Sequence, residues 1–231
     1  MLGYNTVYCS NCLDIFPQID DSSIDCIITD PPYNIGYVDW DKFYNIEQVT
    51  CEWYRILKPT GSVFCFSGWS FVTELITRFN QEFTLKDWII YDRIKGRGGT
   101  KSLVSTREDI LWYIKSDTYT FNKNLAYSTI VKKTKGMGSK NGKDTRALSN
   151  VWTDISPIVP WSKERVAHPT QKPLQLIKRI IDVFTNPDDL ILDCYLGSGT
   201  TAVACKETGR RYIGIEQNPE YVKLAKERLG A

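Results

Sequence analysis

Apolar positions along this chain follow two alternating rhythms. Short runs rich in β-branched and aromatic residues, "SIDCIITD" (23–30), "SVFCFS" (62–67), "DLILDC" (189–194) and "RYIGIE" (211–216), read as buried strands. Helical spacing appears between them. Residues 45–57, "NIEQVTCEWYRIL", set Ile46, Val49, Trp53, Ile56 and Leu57 on one side, and "KPTG" is expected to stop that helix. Further helices are predicted over "WSFVTELITRF" (69–79), "KPLQLIKRIIDVFT" (172–185), "TTAVACKETG" (200–209) and "PEYVKLAKERL" (219–229). The opening "YNTVYCSNCLDIFPQI" reads as a short strand and a helical turn, and "LKDWIIYDR" (85–93) and "EDILWYIKS" (108–116) as two more strands. Strands alternating with helices at both ends predict an α/β fold built on a doubly wound, mostly parallel sheet. From about 117 to 165 the periodicity fades, and "KKTKGMGSKNGKD" (132–144) is polar, basic and glycine-rich. The segment from about 95 to 165 therefore reads as an insertion specialised for binding.

Charge sharpens that division. Residues 93–165 hold 15 Lys plus Arg against 6 Asp plus Glu, a net of +9, while the remainder holds 14 against 21, a net of −7. A basic middle on an acidic body suggests a polyanion partner, although a solvated basic loop fits the charge alone equally well. Length and composition, 231 residues with 42% apolar and 24% charged, fit one domain with a substantial core. No run of about eighteen apolar residues and no basic-then-apolar N-terminal signal occurs, so no membrane partner and a cytoplasmic location are expected.

Seven cysteines make an odd count. Cys26, Cys51, Cys65, Cys194 and Cys205 stand in apolar or helical contexts and read as buried thiols. Cys9-Ser10-Asn11-Cys12 is a C-x-x-C without a second ligand pair at suitable spacing, so no metal is expected. His168 is the single histidine, which weighs against Ser-His or Cys-His nucleophilic chemistry.

Two stretches carry the chemistry. "TDPPYN" (29–34) closes an apolar strand with a carboxylate, two prolines and an aromatic ring. Adjacent prolines fix two φ angles and remove two backbone donors, leaving a rigid corner that presents Asp30 and Tyr33. "DLILDCYLGSGTT" (189–201) puts a Gly-x-Gly turn between a strand and a helix, and "YIGIE" then ends a strand on Glu216. Strand, G-S-G, helix, strand and terminal acid suit a nucleoside-containing cofactor, its ribose hydroxyls on the carboxylate. Thr200 and Thr201 stand where a dinucleotide fingerprint continues to its third glycine, and a plain packing turn is the bland alternative. Ligands of such sheets bind beyond the carboxyl ends of the strands, so the two motifs can share a crevice although some 160 residues separate them.

DPPY, the intervening "HPTQKP" (168–173) and "DCYLGSGTT", in this order and with the basic segment between, resemble the beta group of DNA amino-methyltransferases, from about residue 5 to 229. The resemblance implies a Rossmann-like methyltransferase domain over 1–231: a catalytic half (1–94), a target-recognition insertion (about 95–165) and a cofactor-binding half (166–231). It implies S-adenosylmethionine as cofactor and duplex DNA as substrate. Asp30 with the Pro31 carbonyl would accept the exocyclic amine of a flipped base, aiming its nitrogen at the sulfonium methyl. Tyr33 would stack on that base, and Pro31 and Pro32 would keep the corner preorganised. Glu216 would bind the cofactor ribose, with Gly197, Ser198, Gly199, Thr200 and Lys172 around the methionine end. Asn11, Cys12, Asp30 and Asp193 complete the implied cofactor set. Asn11 stands where family members often carry Asp, and Cys194-Tyr195 where Pro-Phe is usual. Arg97, Lys101, Arg107, Lys132, Lys133 and Lys135 are the candidate phosphate contacts. Lys172 could instead be an exposed helix-start lysine. His168 reads rather as a loop anchor than as a catalyst, and Trp40 as core or as cover for the cofactor.

DPPY fits adenine N6 better than the Ser-Pro-Pro-Tyr variant associated by resemblance with cytosine N4. Cytosine N4 remains the alternative, as does adenine in RNA or single strands. A binding module without catalysis conflicts with intact Asp30, Tyr33, G-S-G and Glu216, and a nicotinamide dehydrogenase leaves DPPY unexplained. A homodimer and a cognate restriction endonuclease are the further partners such a family admits.

Overall fold

The computed structural model describes residues 2–33, 45–97, 100–101, 103–128 and 147–230. One sheet organises the chain: β1 (Thr6–Cys9), β2 (Ile24–Thr29), β3 (Leu57–Ser67), β4 (Thr84–Arg97), β5 (Ser105–Ile114), β6 (Val151–Trp152), β7 (Leu190–Asp193) and β8 (Arg211–Glu216). The spatial order is β1-β8-β7-β2-β3-β5-β4-β6. The first five of these are mutually parallel. β5 runs antiparallel to both β3 and β4. The strand reading of 108–116 thus becomes β5, beginning three residues earlier, and it sits inside the sheet although it falls within the segment read as an insertion.

Helices cover both faces, as a doubly wound fold requires. α5 (Leu174–Phe184), α6 (Thr200–Thr208) and α7 (Pro219–Leu229) pack on one face, with Cys26, Ile28, Phe64, Ile110 and Trp112 from the strands. α1 (Cys12–Ile15), α2 (Ile46–Ile56) and α3 (Val72–Phe79) pack on the other, against Ile27, Val63, Cys65, Leu111 and Tyr113. The period-2 alternation within β5 is the reason both layers have a wall. A short helix, α4 (Lys123–Ser128), lies beside α5. The α5 face is strongly aromatic, with Phe184 centred 4.6 Å from both Phe64 and Trp112. Arg179, buried in α5, makes two bonds to Asp154 at 2.8 and 2.6 Å, which fixes the chain just before the HPTQKP stretch.

Two local readings change. Helix α2 ends at Ile56 and β3 starts at once, so "KPTG" lies within a strand. The register against β2 shifts between Ile24 and Cys26, and a Cβ on Gly61 would lie 2.7 Å from Leu57 and 2.9 Å from the Asp25 carbonyl. Glycine there lets β3 pass closely beside β2. Cys51 is exposed rather than buried, because α2 turns Val49, Thr50, Trp53 and Ile56 inward and Cys51 to the opposite side. Among the described residues no helix is long and apolar enough to cross a membrane.

Candidate active site

Because β1, β8, β7, β2 and β3 are parallel, their carboxyl ends deliver Asn11, Glu216, the 194–200 turn, Asp30 and Gly68 to one edge. A cavity of about 210 Å³ opens there. Asn11, Cys12, Asp30, Pro31, Pro32 and Tyr33 line one side of it. Lys172, Asp193, Gly197, Ser198, Thr200 and Glu216 line the rest. Gly199 lies beneath the wall, at φ 82°, where a Cβ would stand 2.7 Å from the Ala225 Cβ of α7. Gly197, at φ 52°, has no room either: its Cβ would meet His168 Nε2 at 2.9 Å.

At the DPPY corner the Tyr33 hydroxyl donates to Asp30 Oδ1, and Lys172 Nζ donates to Asp30 Oδ2 at 2.5 Å. The Tyr33 ring lies over Gly68, where a Cβ would approach it to 3.2 Å. Lys172 is buried, with 8% of its surface exposed, and Glu108 Oε2 stands 3.6 Å from its ammonium. Burial pulls the Lys172 pKa down, but Asp30 and Glu108 outweigh it and hold the value above the ordinary lysine range. Lys172 is therefore neither an exposed helix-start residue nor a free cation. Burial and the neighbouring Asp30 and Glu108 charges push the Tyr33 hydroxyl well up, so it stays protonated and acts as a donor.

The cofactor side is tied to the backbone. Glu216 Oε2 accepts the Gly197 N–H and Oε1 the Asn218 N–H, both at 2.8 Å. Burial raises its pKa, against the backbone bonds from Asn218, Gly197 and Gln217. Asp193 accepts from Thr29 Oγ1 at 2.9 Å, Thr201 Oγ1 at 2.6 Å and the Tyr195 N–H at 3.2 Å. Complete burial still pushes its carboxyl up to about 7. Asn11 Oδ1 caps α1 by accepting the Leu13 N–H at 3.0 Å. The Cys9 and Cys12 thiols are both free. Arg228 of α7, which no motif announces, donates to Ser198 O at 2.6 Å and to Thr200 Oγ1 at 3.1 Å, fixing the G-S-G turn from behind.

The HPTQKP stretch is a loop held by its own hydrogen bonds. Gln171 accepts from the Val166 N–H at 2.9 Å and donates to Glu164 O at 2.7 Å. His168 Nδ1 accepts the Thr170 N–H at 3.3 Å, and its ring stands 4.5 Å from that of Tyr221. Burial, then Lys172 and Arg228, push the His168 pKa down to about 4, so it is neutral at pH 7. That agrees with an anchoring role.

The described candidate phosphate contacts lie along the β4–β5 hairpin. Arg97 pairs with Ser105 at the outer end of the β4–β5 hairpin, and Lys101 is exposed beyond it. Arg107 is partly engaged, with Nε 3.4 Å from the buried Asp109 and the guanidinium 5.9 Å above Trp88. Lys132, Lys133, Lys135 and Trp40 lie outside the described residues. Among the described residues no group of three or more His, Cys, Asp or Glu could hold a metal.

The site suits a ligand that offers hydroxyl groups to Glu216 and positive charge to the acidic wall. Backbone N–H groups hold both Glu216 oxygens, and the remaining lone pairs can accept from hydroxyls of a ligand. The amino terminus of α6, whose Thr200 lines the cavity, offers backbone for a ligand to lie against. Comparison with known proteins agrees. The N6/N4 DNA methylase family matches residues 24–227. The type II methyltransferase M.HpaI of Haemophilus parainfluenzae is 36% identical, over 96% of this chain and 73% of its own length. The DNA adenine methyltransferase YhdJ of Escherichia coli is 31% identical, over 97% of this chain and 82% of its own. The M1.HpyAVI complex with S-adenosylmethionine superposes with a TM-score of 0.69 at 30% identity, covering 96% of this chain and 98% of that one. With its motifs converging on one sheet edge and its match spanning most of its length, this chain belongs to the N6/N4 DNA methylase family.

Proposed function

We propose that the protein transfers the methyl group of S-adenosylmethionine to the N6 amine of an adenine turned out of duplex DNA. The observation that carries this reading is the opening of the Asp30–Tyr33 corner and the Gly197–Glu216 cradle into one cavity. Asp at the head of the corner, and the likeness to a relative named a DNA adenine methyltransferase, support adenine over cytosine.

The bound cofactor supplies a methyl group on a positively charged sulfur, an activated electrophile. The chain's own residues do the rest. Asp30 and the Pro31 carbonyl accept hydrogen bonds from the exocyclic amine and hold its lone pair in line, and Asp30 is placed to take the proton that nitrogen sheds on methylation. Tyr33 stacks on the base and offsets part of the unstacking, a few kcal/mol. Glu216 holds the ribose, and Gly197, Ser198, Gly199 and Thr200, with Asn11, Cys12 and Asp193, shape the remaining cofactor wall. Arg97, Lys101, Arg107, Lys132, Lys133 and Lys135 follow the phosphates, within a target-recognition region of about 95–165 whose net charge, over 93–165, is +9. Likeness to type II methyltransferases supports a cognate endonuclease as partner and a cytoplasmic location. The family resemblance supports a homodimer, which sedimentation of the purified protein tests.

Digestion of DNA methylated by the purified protein to nucleosides is the decisive experiment. N6-methyladenine is expected, and N4-methylcytosine alone overturns the assignment. Parallel incorporation into duplex, single-stranded DNA and RNA separates the substrate classes.

A further inference from the structure

If Asp30 accepts the base amine, its present partners matter. Oδ2 holds the Lys172 ammonium at 2.5 Å, in a buried setting where that charge cannot pass to water. An oxygen neutralised this way is a poor acceptor for a neutral amine. A cation at that place also opposes the positive charge that develops on the amine nitrogen as it takes a methyl group. A buried ammonium leaves one carboxylate only for another.

Glu108 is that other carboxylate. Its Oε2 stands 3.6 Å from Lys172 Nζ, is buried, and accepts no hydrogen bond among the described residues. Its Oε1 is steadied by Arg93 Nη1 at 3.4 Å, and Arg93 Nη2 donates to Ser105 O at 3.1 Å. Glu108 pairs across the ladder with Tyr91 of β4, so it projects from within the sheet, while Asp30 follows the end of β2. Glu108 is not among the described residues that line the cavity, where Lys172 and Asp30 are.

We propose that Glu108 is a second seat for the Lys172 ammonium. As the base arrives, Lys172 moves from Asp30 Oδ2 to Glu108 Oε2, which frees Asp30 for the amine and withdraws positive charge from the reacting nitrogen. Glu108 is then a positioning residue acting through Lys172. The proposal rests on the reading of Asp30 as acceptor of the base amine.

Glu108→Gln keeps the shape and removes the charge. Single-turnover methylation of duplex DNA at saturating cofactor, in wild type, E108Q, K172M and the double variant, tests the seat. E108Q is expected to slow the step at least tenfold while cofactor affinity by calorimetry changes less than threefold. Adding E108Q to K172M should change the rate less than twofold, because no ammonium then needs a second seat. Glu108→Asp, which keeps the charge, should fall between wild type and E108Q. E108Q within twofold of wild type overturns the proposal, as does a tenfold loss that persists in the K172M background. An Asp variant as slow as E108Q does so too. Should K172M turn over too slowly to follow, 2-aminopurine fluorescence at the target position reads base arrival in the same proteins, and the same ratios between variants support or overturn the seat. Wild-type protein that leaves adenine unmethylated overturns the underlying reading instead, whatever E108Q does.

Discussion

Helix α6 has a left-handed glycine at each end, and the two differ in one respect. Gly199, at φ 82°, would place a Cβ 2.7 Å from the Ala225 Cβ and 3.0 Å from its Cα. Gly209, at φ 71°, has nothing within 4 Å of its Cβ position. Alanine at either position incurs the left-handed backbone penalty, about 1–2 kcal/mol, partly offset by about 0.4–1 kcal/mol of lost freedom in the unfolded chain. Only at Gly199 does a packing clash follow. Its nearest obstacle is a neighbouring helix rather than a flexible tip, so overpacking of about 1–3 kcal/mol is added. Subtracting the two variants cancels the backbone contribution, and Gly199→Ala should lose about 1–3 kcal/mol more than Gly209→Ala. Urea unfolding followed by circular dichroism, with unchanged slope, measures the difference. Ala225→Gly should recover part of the loss in the Gly199→Ala background only. Equal losses for the two glycine variants, within about 0.5 kcal/mol, would refute the claim that α7 presses on the cofactor turn.

Asp30→Ala should abolish turnover while leaving cofactor binding within a few-fold by calorimetry; a wild-type rate in that variant removes Asp30 from the mechanism. Tyr33→Ala should weaken base capture by about 1–3 kcal/mol, the usual worth of base–aromatic stacking, seen as a raised KM for DNA and weaker 2-aminopurine fluorescence. Stability against pH should show two opposed contributions. His168, held down to about 4 from an ordinary 6.5, contributes stability above pH 6.5 that is lost as pH falls toward 4, because the unfolded chain takes up the proton first. Asp193, pushed up from 3.8 to about 7, works in reverse: stability declines as pH rises from 3.8 to 7. His168→Gln should thus cost more at pH 7 than at pH 4, and Asp193→Asn should make stability rise with pH across that window. Thermal melts at pH 4.5, 5.5 and 7 check both signs.

Strand-end motifs were legible because their meaning is local. A strand running into Asp-Pro-Pro-Tyr, or into Gly-Ser-Gly before a helix, has its backbone path set within a few residues, and parallel packing then brings such ends together. What escaped depends on contacts through space. Glu108 stands in "TRED", an ordinary polar approach to an apolar strand, and nothing in its spacing announces Lys172 64 residues later. Arg228 reads as one more charge at a helix end until its bonds to Ser198 and Thr200 are seen. Gly68 did carry a signal, a glycine directly after a buried strand, which marks close approach by another group, here the Tyr33 ring. The "KPTG" stretch misled for a related reason. Its proline and glycine suggest a stop, but β3 is displaced in register just there, and Lys58 forms an ion pair with Asp25 of β2 at 2.6 Å.

The charges around the cavity explain how such a site can hold its cofactor without stifling it. Among the described residues, Asp30, Asp193 and Glu216 line the wall, Lys172 is the cation beside them, and His168 is neutral at pH 7. Lys172 is itself occupied by Asp30 and Glu108, so the remaining wall is acidic and favours a positively charged ligand. An acidic wall that gripped only the sulfonium would stabilise the starting state and slow transfer, since only interactions stronger in the transition state accelerate it. In methyl transfer the positive charge leaves sulfur and appears on the amine nitrogen. Asp193, with its carboxyl pushed up to about 7, adds less than a full negative charge to that wall near pH 7. Asp30 lies at the proposed arrival point of the charge, and the shift of Lys172 toward Glu108 would leave its negative charge uncompensated as the nitrogen needs it. The rigid Pro31-Pro32 mount matters for the same reason: an acceptor already in place when charge develops does not have to be reorganised during the step.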